Sequence, residues 1–219
     1  MKILAIETTS SACSVAISLD NNVIDTIHRI APMQQTGLLL PMIEEILHKN
    51  QLSLNQLEAI AFGAGPGSFT GMRIASSVAQ GLAFSANLPI IKVSSLAALA
   101  LAAHATLQKP AYLVALDARM GQVYWAHYEV YATDQLTLQG EEKLCKPDEI
   151  PTLNAILPDC AGIGEGWAVY AAILEQTLGF KPNLIDSSAL PTAEAVLRLA
   201  LAKPHKETAA AALPHYLTK

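Results

Sequence analysis

The segment "AIAFGAGPGSFTGMRIASSVAQGLA", residues 59–83, gives the clearest indication of the fold of this chain. An apolar run meets a glycine-rich loop, and a helical pattern follows directly; the glycines are Gly63, Gly65, Gly67 and Gly71. A strand, a glycine loop and a helix in this order are typical of α/β proteins, many of which hold a phosphate where the helix begins. The segment therefore predicts an α/β fold and raises the question of whether the loop binds an anion.

The glycine loop matches neither of two common phosphate-binding fingerprints. A P-loop requires G-x-x-x-x-G-K-[ST], and no lysine lies between Lys49 and Lys92. A dinucleotide fingerprint requires G-x-G-x-x-G, but Ser68 and Thr70 occupy the positions of the third glycine. Two interpretations remain open: a generic anion site of backbone N–H groups with Arg73 adding charge, and a purely structural use of the glycines.

The helix after the loop carries a second signal. Ile74, Val78 and Leu82 recur every four residues, and several alanines and a glycine lie among them. No acidic residue occurs between Glu58 and Asp117. A buried core helix explains this pattern, and so does a helix that binds another protein through a surface with few charges.

Composition narrows the classes of function. The chain has 219 residues, 52% hydrophobic and 15% charged, with a net charge of -5. So few charges predict either extensive burial or a surface covered by a partner, and the acidic balance disfavours a nucleic-acid-binding domain that works alone.

The three cysteines are widely spaced without a CxxC motif, which predicts a reduced, cytoplasmic protein. The longest weakly polar stretch, residues 93–107, is too short to span a membrane.

The pattern of predicted elements repeats along the chain. Each half opens with a hairpin and later has a strand, a glycine loop and a helix; the second glycine loop is "GIGEG", residues 162–166. This repeat predicts two related α/β halves, residues 1–108 and 109–219, each with a mixed sheet. The last helix, in the second half, is a candidate to pack back on the first half.

Few side chains suggest catalysis or metal binding. The histidines never occur as HxxxH or HxH, so no metal site is predicted. Asp117 with Arg119 is either an active pair or an ion pair at a strand end. Glu7 is either an acid in a cleft or a cap for the turn that begins at Thr8, and Gly164 either approaches a nucleotide or only forms a turn. Glu7, Thr8, Asp117 and Gly164 are thus candidates for a degenerate nucleotide cleft, and we predict neither a catalytic residue nor a cofactor.

Several segments of the chain resemble the TsaB (YeaZ) family, the small bacterial members of the glycoprotease-like group involved in tRNA threonylcarbamoyladenosine synthesis. They occur in family order along almost the whole chain, and the most specific are "GPGSFTGMR", residues 65–73, and "DARMGQVYW", residues 117–125. The N-terminal "ILAIETTSSACSVAI" also fits. The resemblance implies the actin-like, Hsp70 and sugar-kinase (ASKHA) fold with two related α/β halves.

The resemblance also implies a role. TsaB-like proteins are regarded as non-catalytic partners of a larger paralogue, TsaD, which transfers a threonylcarbamoyl group to the adenosine beside the anticodon in tRNAs that read codons starting with A. TsaC supplies the threonylcarbamoyl adenylate, and the ATPase TsaE completes the complex. The resemblance implies that this chain meets tRNA only as part of that complex. The paralogue's H-x-x-x-H metal pair aligns with Ser95 and Leu99 here, which are poor ligands. The alternatives are an ATP-hydrolysing enzyme of this fold and, less favoured, a protease acting on TsaD.

The resemblance finally implies a binding surface on the first two helices of the N-terminal half, used either by TsaD or by a second copy of this chain. The interface residues expected from it are Leu39, Ile43, Arg73, Ile74, Ser77, Val78, Gly81 and Leu82. The sequence leaves open whether the apolar members of this set belong to the core. A charge placed at Ser77 or Val78 should therefore disrupt pairing with little loss of fold if these residues lie at the interface.

Overall fold

The computed structural model describes residues 1–19, 24–132, 135–153 and 157–218. In chain order its main elements are β1 (Ile3–Glu7), β2 (Ala12–Ser18), β3 (Ile24–Ile30), α1 (Gln35–Lys49), β4 (Ala59–Gly65), α2 (Phe69–Ser85), β5 (Ile90–Ser94), α3 (Ser95–Leu107), β6 (Ala111–Arg119), β7 (Gln122–Ala132), β8 (Gln135–Leu138), β9 (Lys143–Cys145), β10 (Cys160–Ile163), α4 (Gly166–Leu178), β11 (Leu184–Asp186) and α5 (Ala193–Ala202). Short 3-10 helices occur at Leu54–Gln56, Pro147–Glu149 and Ala209–Ala211.

The chain divides into two compact units. The first contains Met1–Ala98 and Pro191–His215, and the second contains Leu99–Leu190 and Tyr216–Lys219. The boundary thus falls inside α3 rather than at the expected position between residues 108 and 109. α5 belongs to the first unit, where Ser14 Oγ on β2 accepts a hydrogen bond of 3.1 Å from Ala193 N at the start of the helix.

The first unit is built on a five-stranded sheet with the order β3-β2-β1-β4-β5. β1 pairs antiparallel with β2 and parallel with β4, so the sheet is mixed. Every residue of β1 and β4 is buried, as expected for central strands covered on both faces. The apolar runs at residues 3–6 and 59–62 form these central strands because they leave no polar side for solvent.

The second unit contains a six-stranded sheet with the order β11-β10-β6-β7-β8, and β9 pairs with β7 beside this path. β6 pairs antiparallel with β7 and parallel with β10, so this sheet is mixed as well. The predicted plan of two α/β halves, each with a mixed sheet, is therefore confirmed. Within the described ranges, no helix has both the length and the apolar content needed to cross a membrane.

Candidate functional site

The glycines of the first loop are surrounded by the chain's own atoms. A Cβ added to Gly63 would overlap the carboxylate of Glu7, and one added to Gly71 would overlap the carbonyl oxygen of Thr8. Both separations fall below 3.0 Å, which real Cβ atoms essentially never show. These positions are glycine because β1 passes directly against the end of β4 and the first turn of α2.

Backbone N–H groups of the same loop are already used inside the chain. Gly65 N donates to Ser95 Oγ at 3.3 Å, and Ser68 N donates to Thr9 O at 2.7 Å. Ser68 caps α2, because its Oγ accepts a hydrogen bond of 3.3 Å from Gly71 N. An anion at this helix start would have to compete for these donors. The loop thus has the geometry of a fixed bend that starts α2.

Glu7 and Thr8 lie in the interior of the first unit and are not exposed in a cleft. Glu7 Oε1 accepts a hydrogen bond of 2.6 Å from Thr9 N, and its Oε2 accepts one of 3.1 Å from Ser95 Oγ. Burial raises the pKa of Glu7 above its ordinary value, and the hydrogen bonds from its neighbours only partly oppose this effect. Thr8 Oγ1 donates to Gly71 O at 2.8 Å. The two residues therefore tie the end of β1 to the turn after it, to the start of α2 and to α3.

Asp117 and Gly164 belong to the second unit. Asp117 Oδ2 lies 2.9 Å from Arg119 Nη1, and its Oδ1 accepts hydrogen bonds from Arg119 N at 2.9 Å and from Tyr170 OH at 3.2 Å. This is the ion-pair arrangement at a strand end. Gly164 has φ +95°, and an added Cβ would lie 2.6 Å from Ala115 O on β6. Gly164 is therefore required by the turn and by its close approach to β6.

The residues expected at the partner surface separate into two groups. Leu39 and Ile43 are only 1% and 3% exposed and belong to the hydrophobic core of the first unit. This burial favours the core, one of the two alternatives that the sequence left open, because this side of α1 packs on β2. Ile74, Val78 and Leu82 are partly buried and pack against the same core. Their side chains therefore lie between this core and the exposed side of α2.

Exposed residues of α2 form a continuous stripe, which we call the α2 ridge: Thr70, Arg73, Ser77, Gly81 and Phe84. Their spacing of three or four places them on one side of the helix. Arg73 is the one charged residue among these five. The ridge is therefore an exposed, nearly uncharged surface that includes three of the residues expected at the interface.

Two exposed aromatic residues of α2, Phe84 in the ridge and Phe69 beside its N-terminal end, were not among the residues expected at the interface. Phe84 is 82% exposed and Phe69, at the first position of α2, is 55% exposed. The Arg73 guanidinium carbon lies 3.3 Å from the centroid of the Phe69 ring, a cation–π arrangement. Aromatic residues and arginine are enriched at protein interfaces. The spacing of four residues between Phe69 and Arg73, at the N-terminal end of α2, was the signal available in the sequence.

Gly81 differs from the glycines of the loop. Within the described part of the chain, no heavy atom other than those of the adjacent residues and the neighbouring helix backbone lies within 4 Å of a Cβ added at this position. Glycine inside a helix is less favourable than alanine by roughly 0.5–1 kcal/mol, and here no internal contact explains it. A glycine on an exposed helix face allows another helix backbone to approach closely.

Comparisons with known proteins give a consistent result. The family described as "TsaD: tRNA N6-adenosine threonylcarbamoyltransferase" matches residues 10–218. The chain is 40% identical over 211 residues to the tRNA threonylcarbamoyladenosine biosynthesis protein TsaB of Haemophilus influenzae, covering 91% of this chain and 85% of that protein. Identity to TsaB of Escherichia coli is 37%, covering 91% and 86%. YeaZ from Pseudomonas aeruginosa has a structure similar to this one, with a TM-score of 0.89 and 36% identity over 99% of both chains.

Proposed function

The chain belongs to the TsaB (YeaZ) family, and from this premise we propose that it takes part in tRNA threonylcarbamoyladenosine biosynthesis as a non-catalytic subunit. In this role it binds and supports the catalytic paralogue TsaD, in a cytoplasmic complex that also contains the ATPase TsaE. The complex, rather than this chain alone, contacts tRNA and modifies the adenosine beside the anticodon.

The observation that carries this proposal is the α2 ridge. It is exposed, has one charged residue, carries the open Gly81 and ends in the exposed Phe84. Helix-to-helix association suits such a surface, because little charge must be desolvated and the glycine permits close approach. A second copy of the chain, related by a two-fold axis, would use the same ridge when TsaD is absent.

The surroundings of the glycine loop and of the positions aligned with the paralogue's metal pair support a non-catalytic role. The glycine loop is filled by neighbouring atoms of the chain, and Glu7 is buried with its oxygens engaged by Thr9 and Ser95. Ser95 is one of the two positions that align with the metal pair of the paralogue. It is fully buried and hydrogen-bonded to Glu7. The other, Leu99, is also fully buried, and its side chain has no ligand atom. Among the described residues, no group of three or more His, Cys, Asp or Glu side chains could hold a metal ion.

Reconstitution of tRNA modification tests the proposal. TsaC, TsaD and TsaE should modify tRNA efficiently only when this chain is present, while the isolated chain should show negligible ATP turnover. Robust hydrolysis by the chain alone, abolished by substitution of Glu7 or Asp117, would instead identify an enzyme in its own right. If tRNA is modified at an equal rate without the chain, the proposed role is wrong.

Ridge variants connect this activity to the surface. Ser77→Arg places a long charged side chain on the ridge, and Gln176→Arg introduces the same side chain at an exposed position of α4 in the second unit. We expect Ser77→Arg to lose both TsaD binding and stimulation of modification, and Gln176→Arg to retain them. Equal behaviour of the two variants would place the partner surface elsewhere.

A further inference from the structure

Residues 207–215, which we call the strap, run beside α2 in the first unit. At one end, Glu207 exchanges two backbone hydrogen bonds of 2.9 Å with Ile90 on the edge strand β5. Lys92 Nζ on the same strand lies 3.1 Å from Glu207 Oε2. The strap therefore begins by pairing with backbone groups at an otherwise open sheet edge.

Polar side chains of α2 hold the middle of the strap. Gln80 Nε2 donates to Ala209 O at 3.3 Å, and Ser76 Oγ donates to Ala212 O. Ala212 itself is fully buried and belongs to the hydrophobic core of the first unit. The hydroxyl of Ser76 thus satisfies a carbonyl group that burial removes from water, and loss of such a partner is unfavourable.

The strap ends beside the glycine loop. His215 N donates to Ala64 O at 2.8 Å, at the end of β4. A Cβ added to Gly65 would lie 2.2 Å from Met72 Sδ and 3.1 Å from His215 O, so both the side chain of Met72 and the strap lie close to this glycine. One continuous segment therefore contacts the edge of the sheet, the flank of α2 and the loop from which α2 begins.

The anchors of the strap and the α2 ridge are neighbouring parts of one helix. At about 100° per residue, Ser76 and Gln80 lie on one flank of the ridge, and Ile74 and Val78 lie on the other. The second flank packs against the core. The ridge thus stands between a flank fixed by the core and a flank fixed by the strap.

We propose that the strap positions the partner surface: the α2 ridge binds TsaD strongly only while the strap is attached, and Ser76 and Gln80 are the positioning residues. This inference rests on the proposed function. Detachment of the strap removes the restraint on one side of α2 and at the loop before it, so the ridge loses its fixed geometry. Because coupling between two sites is reciprocal, TsaD bound at the ridge must in turn favour the attached strap.

The test combines binding with hydrogen exchange, using the double variant Ser76→Ala, Gln80→Ala. Its matched control is Gln176→Ala, Thr177→Ala, which removes an amide and a hydroxyl from α4 in the second unit. We expect the first pair to weaken TsaD binding by about tenfold and to speed amide exchange in residues 207–215. In the unsubstituted chain, TsaD should slow exchange in the same residues. Ser76→Thr, which keeps the hydroxyl, should restore most of the binding lost in Ser76→Ala.

Each other outcome overturns a defined part of the inference. Faster exchange of the strap with TsaD binding unchanged within twofold would show that the strap only stabilises the fold. Unchanged exchange in the double variant would show that Ser76 and Gln80 do not hold the strap. If the unsubstituted chain itself does not bind TsaD, the proposed function fails and this inference fails with it; if that chain binds and the double variant binds equally well, only the inference fails.

Discussion

The glycine loop and the α2 ridge adjoin in sequence, yet their glycines have opposite surroundings. A Cβ at Gly63 or Gly71 would overlap other atoms of the chain, whereas a Cβ at Gly81 would meet none of the described atoms beyond the adjacent residues and the neighbouring helix backbone. The same residue type therefore marks close internal packing in the loop and an open surface on the ridge. A glycine-rich loop between a strand and a helix is thus not by itself a reason to infer a phosphate site.

The largest effect should come from filling the packed loop. Gly71→Ala places a Cβ against the backbone of Thr8, which has no flexible end that could move aside. We expect the free energy of unfolding to fall by about 3 kcal/mol, measured by urea denaturation. The control is Gly37→Ala, because beyond the adjacent residues and the neighbouring helix backbone no heavy atom of the described residues lies within 4 Å of a Cβ at that position. A loss below about 1 kcal/mol for Gly71→Ala would show that the loop is less tightly packed than the structure indicates.

A charge on the ridge should have the next largest effect, on binding rather than on folding. Ser77→Arg should weaken TsaD binding by roughly a hundredfold, because a charge buried without a partner at an interface costs several kcal/mol. Val78→Glu should weaken binding too, but with some loss of stability, since Val78 also packs against the core. Isothermal titration and thermal unfolding separate the two effects. If Ser77→Arg unfolds the chain, the ridge is part of the core. The loop and the ridge would then both be packed internally, and the difference between them would not exist.

The pH dependence of folding stability tests the burial of Glu7 beside the glycine loop. Its pKa is raised in the folded chain by burial, so its contribution to stability is fully present below the ordinary pKa and is lost as pH rises through the folded value. Glu7→Gln should therefore gain stability relative to the unsubstituted chain as pH rises from 5 to 8. Chemical denaturation at pH 5 and pH 8 measures this difference. A relative loss of stability at pH 8 would mean that Glu7 is ionised and stabilising in the folded state.

The smallest change should have opposite signs in folding and in binding. Gly81→Ala should stabilise the isolated chain by roughly 0.5–1 kcal/mol, because alanine favours the helix and meets no neighbouring atom. The same methyl group should weaken pairing by holding the partner helix away. Thermal unfolding and titration with TsaD provide the two measurements. Stabilisation without any loss of binding would exclude close contact at Gly81.

The sequence predicts the sheets well but separates core from surface poorly. The runs at residues 3–6 and 59–62 are uniformly apolar, and uniform burial in central strands follows from that property alone. For Leu39 and Ile43 the sequence left core and interface open, because a helix stripe that faces a sheet and one that faces a partner have the same period. Whether such a stripe faces a sheet or a partner depends on the elements that cover the helix. The sequence of the helix alone does not show which elements these are.

The strap could not be predicted for a related reason. Residues 207–215 have neither helical nor alternating periodicity, and their contacts join the strap to Gln80, Ser76 and Ile90 more than a hundred positions away in sequence. The polar residues on α2 were visible in the sequence, but their partners are backbone carbonyls, which every segment possesses. Only the folded structure identifies which segment they hold.

Hydrogen exchange of the whole chain, measured with and without TsaD, shows whether the α2 ridge is the partner surface. We expect TsaD to slow amide exchange in α2, with the strongest protection around residues 73–81, while exchange in α4 of the second unit stays unchanged. Protection confined to the second unit, with exchange in α2 unaffected by saturating TsaD, would contradict the claim that the α2 ridge is the partner surface.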